Sequence, residues 1–429
     1  MTLSHLETSL DRLLSEVTPS IGTILDRTLA EEELTIDEGT RLFEASGTDL
    51  LVITAVADHL RKKAVGDVVT YVVNRNINFT NVCVKACGFC AFSRGHLAGE
   101  GYFLPLEEIL RRAHEAYDLG ATEVCVQAGL APGIDGWHYV KLCESLKKAL
   151  PDLHIHGFSP EEVLYGSTLA GCSVKDYLSA LKAAGVGSLP GTSAEILDDE
   201  VRNKISPGRI STHQWIDLIE SAHALRIPTT STIMYGHIED SHHKAAHLAI
   251  LREIQKRTGG ITEFVPLSFV FEEAPLYYRK RIDGLRSGAT GAEVMKMYAV
   301  ARMMLNRWIP NIQVSWVKEG PKLSQIALMA GANDFGGTLM NESISTAAGA
   351  GYGQLMQPSQ FRRLIREMGR IPAERTTTYN RLKIFESEEN PIDLLDNVED
   401  PEQRFGSYHQ LIKLKDYRFR DFYRGRKDT

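Results

Sequence analysis

Apolar, β-branched runs alternate along this chain with stretches whose apolar positions recur every three to four residues. The strand-like runs are Val68–Ile77, Glu123–Ala128, His154–Phe158, Ser188–Gly191, Thr229–Tyr235, Glu263–Phe269, Ile312–Trp316 and Asp334–Leu339. Between them lie helical stripes: Leu106, Ile109, Leu110, Ala113, Ala116 and Tyr117; Tyr177, Leu178, Leu181 and Ala184; Trp215, Leu218, Ile219 and Ala222. Several helices are predicted to stop at Gly or Pro just before the next strand, as at Leu119-Gly120, Ala184-Gly185 and Ile227-Pro228. Strand-then-helix repeated eight times predicts a parallel α/β sheet. Eight is also the number that closes a (β/α)8 TIM-type barrel, with an open doubly wound sheet as the competing arrangement.

The same pattern divides the chain. Residues 1–66 are expected to be an N-terminal helical extension, with Leu51, Ile53, Ala55, Val56, His59 and Leu60 placed to cover one barrel end. The barrel is expected over 67–340 and a C-terminal helical region over 341–385. Residues 386–429 are an acidic linker followed by a basic, aromatic tail (Leu411–Lys427). That tail is read as solvated and dispensable, or else as docking on the protein's own acidic surface.

Composition adds mainly exclusions. The 429 residues are 43% hydrophobic and 24% charged, ordinary for a globular protein. The net charge of −7 argues against non-specific nucleic-acid binding, which relies on Lys and Arg neutralising phosphates. No apolar run approaches the roughly 20 residues that span a bilayer, and the N-terminus lacks the basic start of a secretory signal. A cytoplasmic protein without membrane partners is the expectation.

Cysteine placement carries the chemistry. There are six cysteines, too few for a disulfide scaffold, and three of them form Cys83-x-x-x-Cys87-x-x-Cys90. This CxxxCxxC motif follows the first predicted strand, in a βα loop where barrels carry their active sites. Zinc needs a fourth ligand, and His96 is the only close candidate. A 4Fe–4S cluster normally takes four cysteines, so three leave one iron open to a ligand.

The motif is the signature of the radical S-adenosylmethionine enzymes, which the chain resembles. The resemblance implies that the open iron chelates the amino and carboxylate groups of S-adenosylmethionine. The reduced cluster then splits that cofactor to methionine and a 5′-deoxyadenosyl radical. It also implies that Phe89 lies near the adenine, and that Gln127 and Gly129 contact the methionine end, with Ala128 where the superfamily usually has Gly. Glu195 and Arg202 match positions that hold the ribose and the carboxylate.

Four runs narrow the branch: Val73–Asn81, Ser193–Arg202, Ser231–Glu239 and Gly336–Ser345. Over roughly residues 40–385 they are similar to the tyrosine-dependent 4-hydroxybenzyl transferase subunits of FO synthase. Radical enzymes of futalosine-route menaquinone synthesis are the alternative branch, and a non-catalytic iron–sulfur carrier the alternative class. The FO synthase resemblance implies cleavage of L-tyrosine and transfer of its 4-hydroxybenzyl group to 5-amino-6-(D-ribitylamino)uracil. It further implies two partners: the second radical subunit of FO synthase, and an electron donor such as a flavodoxin or ferredoxin.

Polar residues at strand ends are expected to converge on one mouth: Asn78, Asn81, Gln127, Ser193, Glu195, Tyr235, His237, Glu239, Ser268, Ser315, Lys318, Asn341 and Glu342. Among these, His237 is taken as the general base, with Glu239 beside it. Phe269, Tyr235 and Trp316 are expected to wall the tyrosine ring. The crowding of His237, Glu239, His242, His243 and His247 also permits a second metal, which is the lesser reading. Gly349–Gly353 is read as a loop.

Overall fold

A computed structural model of the chain describes residues 12–421 apart from Ala86 and Arg281. The start of the N-terminal extension and the basic end of the tail therefore lie outside the described residues.

The fold is α/β with parallel strands at its centre. The first predicted strand forms as two halves, β1 (Val68–Val72) and β2 (Asn74–Ile77). They are followed by β3 (Glu123–Val126), β4 (His154–His156), β5 (Thr229–Tyr235), β6 (Ile261–Ser268) and β7 (Asp334–Gly337). Parallel ladders join β2 to β3, β3 to β4, β5 to β6 and β1 to β7. Single parallel bridges connect these ladders: His156 to Ser188, Leu189 to Thr229, Phe264 to Ile312, and Gln313 to Asp334.

Two expected strands are thus reduced to bridges, each for a local reason. Pro190 has no N–H for a ladder, and a Cβ at Gly191 would sit 2.0 Å from the Thr230 carbonyl oxygen, so side-by-side backbones here require glycine. The segment Ile312–Trp316 stops early because Trp316 opens the helix Trp316–Ala327.

The predicted helical stripes bury largely as the 3.6-residue period requires. Trp215, Leu218, Ile219 and Ala222 are all buried, as are Tyr177, Leu178 and Leu181. On Leu106–Asp118, Ile109, Ala113 and Ala116 are buried while Leu106 and Tyr117 are exposed.

The N-terminal extension forms helices Pro19–Leu29, Ile36–Glu44 and Thr48–Val65. It packs mainly on the outer helices Ser241–Thr258 and Gly291–Leu305. Its buried stripe is Val52, Ile53, Ala57 and Leu60, and Leu51 faces out. No helix among the described residues is long and apolar enough to cross a membrane.

The region 341–385 departs from the helical expectation. After helix Pro358–Glu367 it makes a hairpin of β8 (Ile371–Arg375) and β9 (Arg381–Ile384). β8 adds in parallel to β1 and delivers Arg375 to Asp334 at the start of β7, with N–O contacts of 2.5 and 2.9 Å.

The tail is also different from its solvated reading. Leu395, Phe405, Tyr408, Leu411 and Phe419 are buried. The Phe103 N–H donates to the Tyr417 carbonyl (2.8 Å) and the Phe419 N–H to that of Gly101 (2.9 Å), so the tail forms an edge against the loop that carries the cysteines. The Arg75 guanidinium lies 5.0 Å from the Phe405 ring centre, and Tyr408 packs on Phe92 at 5.5 Å. Within the acidic linker Ile392 and Leu394 stay exposed; it is held by the buried Leu395 and by Asp393 and Asp396, which pair with the buried Arg362, contacts that the acidic composition does not reveal.

Burying one large apolar side chain is worth about 1.5–3 kcal/mol. The tail's five are together worth on the order of 10 kcal/mol, comparable to the whole stability of a typical domain. Truncation after Phe385 should therefore lower the melting temperature sharply or prevent soluble expression. A truncated protein melting at the full-length temperature would refute this packing role.

Candidate active site

The loop after β2 is fixed from several sides by its backbone. The Gly129 N–H donates to the Thr80 carbonyl and the Val84 N–H to that of Leu130, both at 2.9 Å. The Gly88 N–H donates to Ile205 (2.9 Å), and the Gly88 carbonyl accepts from the Leu276 N–H (2.6 Å). Gly129 is required here: a Cβ would lie 2.3 Å from the Val82 carbonyl oxygen, where the cysteine loop crosses it.

So held, Cys83, Cys87 and Cys90 open onto one cavity of about 390 Å³, within the usual size of small-molecule sites. All three are free of disulfides. Burial pushes the Cys87 thiol up to about 12 and raises that of Cys83. Among the described residues, no group of three or more His, Cys, Asp or Glu side chains is close enough to hold a single metal ion. Three thiols around a cavity instead suit a larger four-iron cluster, in which each binds a different iron.

Arg209 dominates the cavity's other polar groups. Its guanidinium contacts Glu195 (2.8 Å), Glu161 (3.4 Å) and the Ser193 hydroxyl (2.5 Å), and lies 3.7 Å from the Cys87 sulfur. Burial opposes its charge, but Glu195 and its other neighbours raise its pKa further, so it stays cationic. The guanidinium also lies 5.7 Å from the Phe89 ring centre. Ser193 and Glu195 both have positive φ, 63° and 40°.

That turn is stapled from behind by Arg202. Arg202 donates to the carbonyls of Ser193 (2.9 Å), Ala194, Ile196 (3.3 Å) and Ile210 (2.5 Å). It is buried and does not line the cavity, so the carboxylate-holding role expected of it has no access here. Arg209, seven residues on, is the arginine that faces the site.

Glu162 also lines the cavity. It accepts from the Ala128 N–H (2.9 Å) and the Ser159 N–H (2.8 Å), and burial pushes its pKa up to about 7. Alanine in place of glycine at 128 thus keeps its backbone donor engaged.

The cavity wall includes Phe89, Gln127, Gly129, Glu195, Ser193, Ser268, Phe269, Ser315, Lys318 and Glu342, as expected. It does not include His237, Glu239, Asn78, Asn81, Tyr235, Trp316 or Asn341. Tyr235 donates its hydroxyl to Glu319 (3.1 Å), Trp316 its indole N–H to the Gly337 carbonyl (2.9 Å), and Asn341 its amide to the Gly406 carbonyl of the tail (2.8 Å).

His237 cannot serve as the base in this geometry. Its Nδ1 accepts from the Ile238 N–H (2.8 Å) and its Nε2 lies 3.0 Å from the Met234 carbonyl, which fixes the tautomer and uses both nitrogens. Burial lowers its pKa. Glu239 accepts from the N–H groups of Gly236 (2.7 Å) and His237 (2.9 Å) and pairs with Arg286 (2.5 Å). Both residues shape the turn after β5.

The histidine crowd has similar structural work. His247 accepts from the Leu197 N–H (3.0 Å) and bonds the Thr232 carbonyl (3.0 Å), while His243 Nδ1 lies 2.6 Å from a carboxylate oxygen of Asp240, the cap of its own helix. His237→Ala leaves two buried backbone groups unpaired, at about 1–3 kcal/mol each. It should cost thermal stability and leave the rate of the folded enzyme within a few-fold of wild type. A normal melting temperature with a 100-fold slower reaction would restore His237 as a chemical group.

Arg209, Glu161, Glu162 and Thr192 were not legible as site residues. Arg209 sits in a loop after the short helix Asp199–Ile205, where no periodicity points inward. Its partners Glu161 and Glu195 lie far apart in sequence and meet it only in the fold.

The family model described as the Radical SAM superfamily matches residues 77–249, and that of the CofH/MqnC C-terminal region matches 258–388. A 5-amino-6-(D-ribitylamino)uracil–L-tyrosine 4-hydroxyphenyl transferase of Methanothermobacter thermautotrophicus is 49% identical over 354 residues, covering 82% of this chain and 95% of the relative. The protein of the same name from Methanocaldococcus jannaschii is 48% identical over 356 residues, covering 82% and 98%. Among solved structures, methylornithine synthase superposes with a TM-score of 0.61 at 21% identity, covering 82% of this chain and 97% of that one. The FeFe-hydrogenase maturase HydG from Carboxydothermus hydrogenoformans gives 0.65 at 15%, covering 88% and 86%. These two establish a common fold.

Proposed function

Because the chain belongs to the family of 5-amino-6-(D-ribitylamino)uracil–L-tyrosine 4-hydroxyphenyl transferases within the radical S-adenosylmethionine enzymes, we propose that it cleaves L-tyrosine and transfers its 4-hydroxybenzyl group to 5-amino-6-(D-ribitylamino)uracil. The observation that carries this reading is one cavity that joins three free cysteines, a charged arginine and an apolar wall. The name shared by the relatives disfavours the futalosine route.

A 4Fe–4S cluster and S-adenosylmethionine supply the one-electron chemistry when bound. Cys83, Cys87 and Cys90 hold the cluster. Arg209 receives the carboxylate of S-adenosylmethionine, since a guanidinium fork suits a carboxylate and Arg202 is spent on backbone carbonyls. Glu195 and Ser193 lie beside it for the ribose, and Gln127, Gly129 and Phe89 border the rest of that cofactor. Phe269, Val317 and Ile344 offer the tyrosine ring an apolar surface, and Ser268, Ser315 and Gln313 offer neutral partners for the uracil and its ribityl chain.

The eight strand segments form a closed (β/α)8 barrel in this reading. Its support is that each ladder is linked to the next by a parallel bridge, back to β1. A second radical enzyme that consumes the product, and a small electron donor, are the functional partners. The test is reconstitution without oxygen: formation of 5′-deoxyadenosine should depend on added L-tyrosine. Turnover that ignores tyrosine and responds to a futalosine derivative would overturn the proposal.

A further inference from the structure

Three cationic side chains line the cavity: Lys85, Arg209 and Lys318. Two are already paired. Lys85 lies 3.3 Å from Glu161, and Arg209 contacts both Glu161 and Glu195. Lys318 differs: among the described residues it has no carboxylate within 4 Å, and its ammonium makes one long contact, 3.3 Å to the Ser345 hydroxyl.

Glu342 is the nearby acid on the cavity wall, but its oxygens are turned to backbone N–H groups, Ser345 at 2.9 and 3.1 Å and Thr346 at 3.2 Å. Lys318 is thus an ammonium facing a mostly apolar cavity with an incomplete set of partners. A cation so placed is costly unless an anion joins it. Burial accordingly lowers its pKa, while Glu342 and Glu319 act to keep it charged.

The substrates decide which anion. The diaminouracil has no carboxylate. S-adenosylmethionine has one, which Arg209 serves, and L-tyrosine has one. We propose that Lys318, with the Ser345 hydroxyl, binds the α-carboxylate of L-tyrosine. This rests on the function proposed above and assigns a substrate contact within it. Val317 and Ile344 adjoin the two donors in sequence and also line the cavity, so a ring can lie on apolar surface beside a held carboxylate.

The test uses the reconstituted full-length enzyme with two competitive inhibitors of tyrosine. 3-(4-Hydroxyphenyl)propionate keeps the carboxylate and lacks the amine; tyramine keeps the amine and lacks the carboxylate. In K318M, the KM for L-tyrosine and the Ki of the propionate should both rise about 10- to 100-fold, the scale of one lost charged hydrogen bond. The Ki of tyramine, the KM for S-adenosylmethionine and the iron content should stay within about three-fold of wild type. K318R should recover most of the tyrosine KM. An unchanged tyrosine KM in K318M, or an equal rise for both inhibitors, would overturn the assignment. Failure of the wild-type enzyme to consume tyrosine would instead defeat the proposed function, so the two failures are distinguishable.

Discussion

Alanine at Cys83, Cys87 or Cys90 should abolish both cluster assembly and turnover, each variant alone doing so completely. The three thiols share one cavity, and a cluster that already leaves one iron without a protein ligand has no spare. The other cysteines are no substitute. Cys125 lies in β3 and Cys143 is buried on the helix His138–Ala149. Neither they nor Cys172 line the cavity. Serine at Cys125, Cys143 or Cys172 should leave iron content near wild type. Iron analysis with the visible absorbance of the reconstituted protein separates the two groups. Cleavage of S-adenosylmethionine by any one of the first three variants would refute the cluster assignment.

Arg209→Lys should be nearly as damaging to the chemistry while sparing the fold. Lysine keeps a positive charge between Glu161 and Glu195, so the buried carboxylates are not stranded. It loses the planar fork that reaches two acids, Ser193 and a bound carboxylate at once. Formation of 5′-deoxyadenosine should fall by roughly 100-fold, about 3 kcal/mol, with iron content and melting temperature little changed. Arg202→Lys should show the reverse. Its guanidinium holds the carbonyls of Ser193, Ile196 and Ile210, so the melting temperature falls first. A fully active Arg209→Lys protein would move the carboxylate contact elsewhere.

The parts of this molecule written in local pattern were legible in its sequence. β5 runs from Thr229 to Tyr235 as predicted, and the stripe from Trp215 to Ala222 is buried as its period requires. The cysteine motif was legible because three soft ligands at fixed spacing have few structural uses.

What failed depended on distant contacts. The alternation that marks a strand end does not say which side of the turn a side chain takes, so His237 and Glu239 looked like site residues and are turn supports. Arg202 and Arg209 carry the same charge seven residues apart. The Pro207-Gly208 turn that follows the short helix places the second at the cavity, and nothing local to either residue reveals it. The hairpin of β8 and β9 is short, and its outer strand is exposed throughout. The tail's buried residues Phe405, Tyr408 and Leu411 are spaced three apart, a helical hint too short to stand out between the acidic linker and the basic end.

The most direct measurement follows the carbon of tyrosine itself. L-Tyrosine labelled with 13C at Cβ is incubated without oxygen with the reconstituted enzyme, S-adenosylmethionine, a reductant and 5-amino-6-(D-ribitylamino)uracil, and the products are resolved by mass. The expected result is a uracil product heavier by one labelled 4-hydroxybenzyl unit, formed together with 5′-deoxyadenosine and absent when tyrosine is omitted. 5′-Deoxyadenosine formed while all the label remains in tyrosine would contradict it.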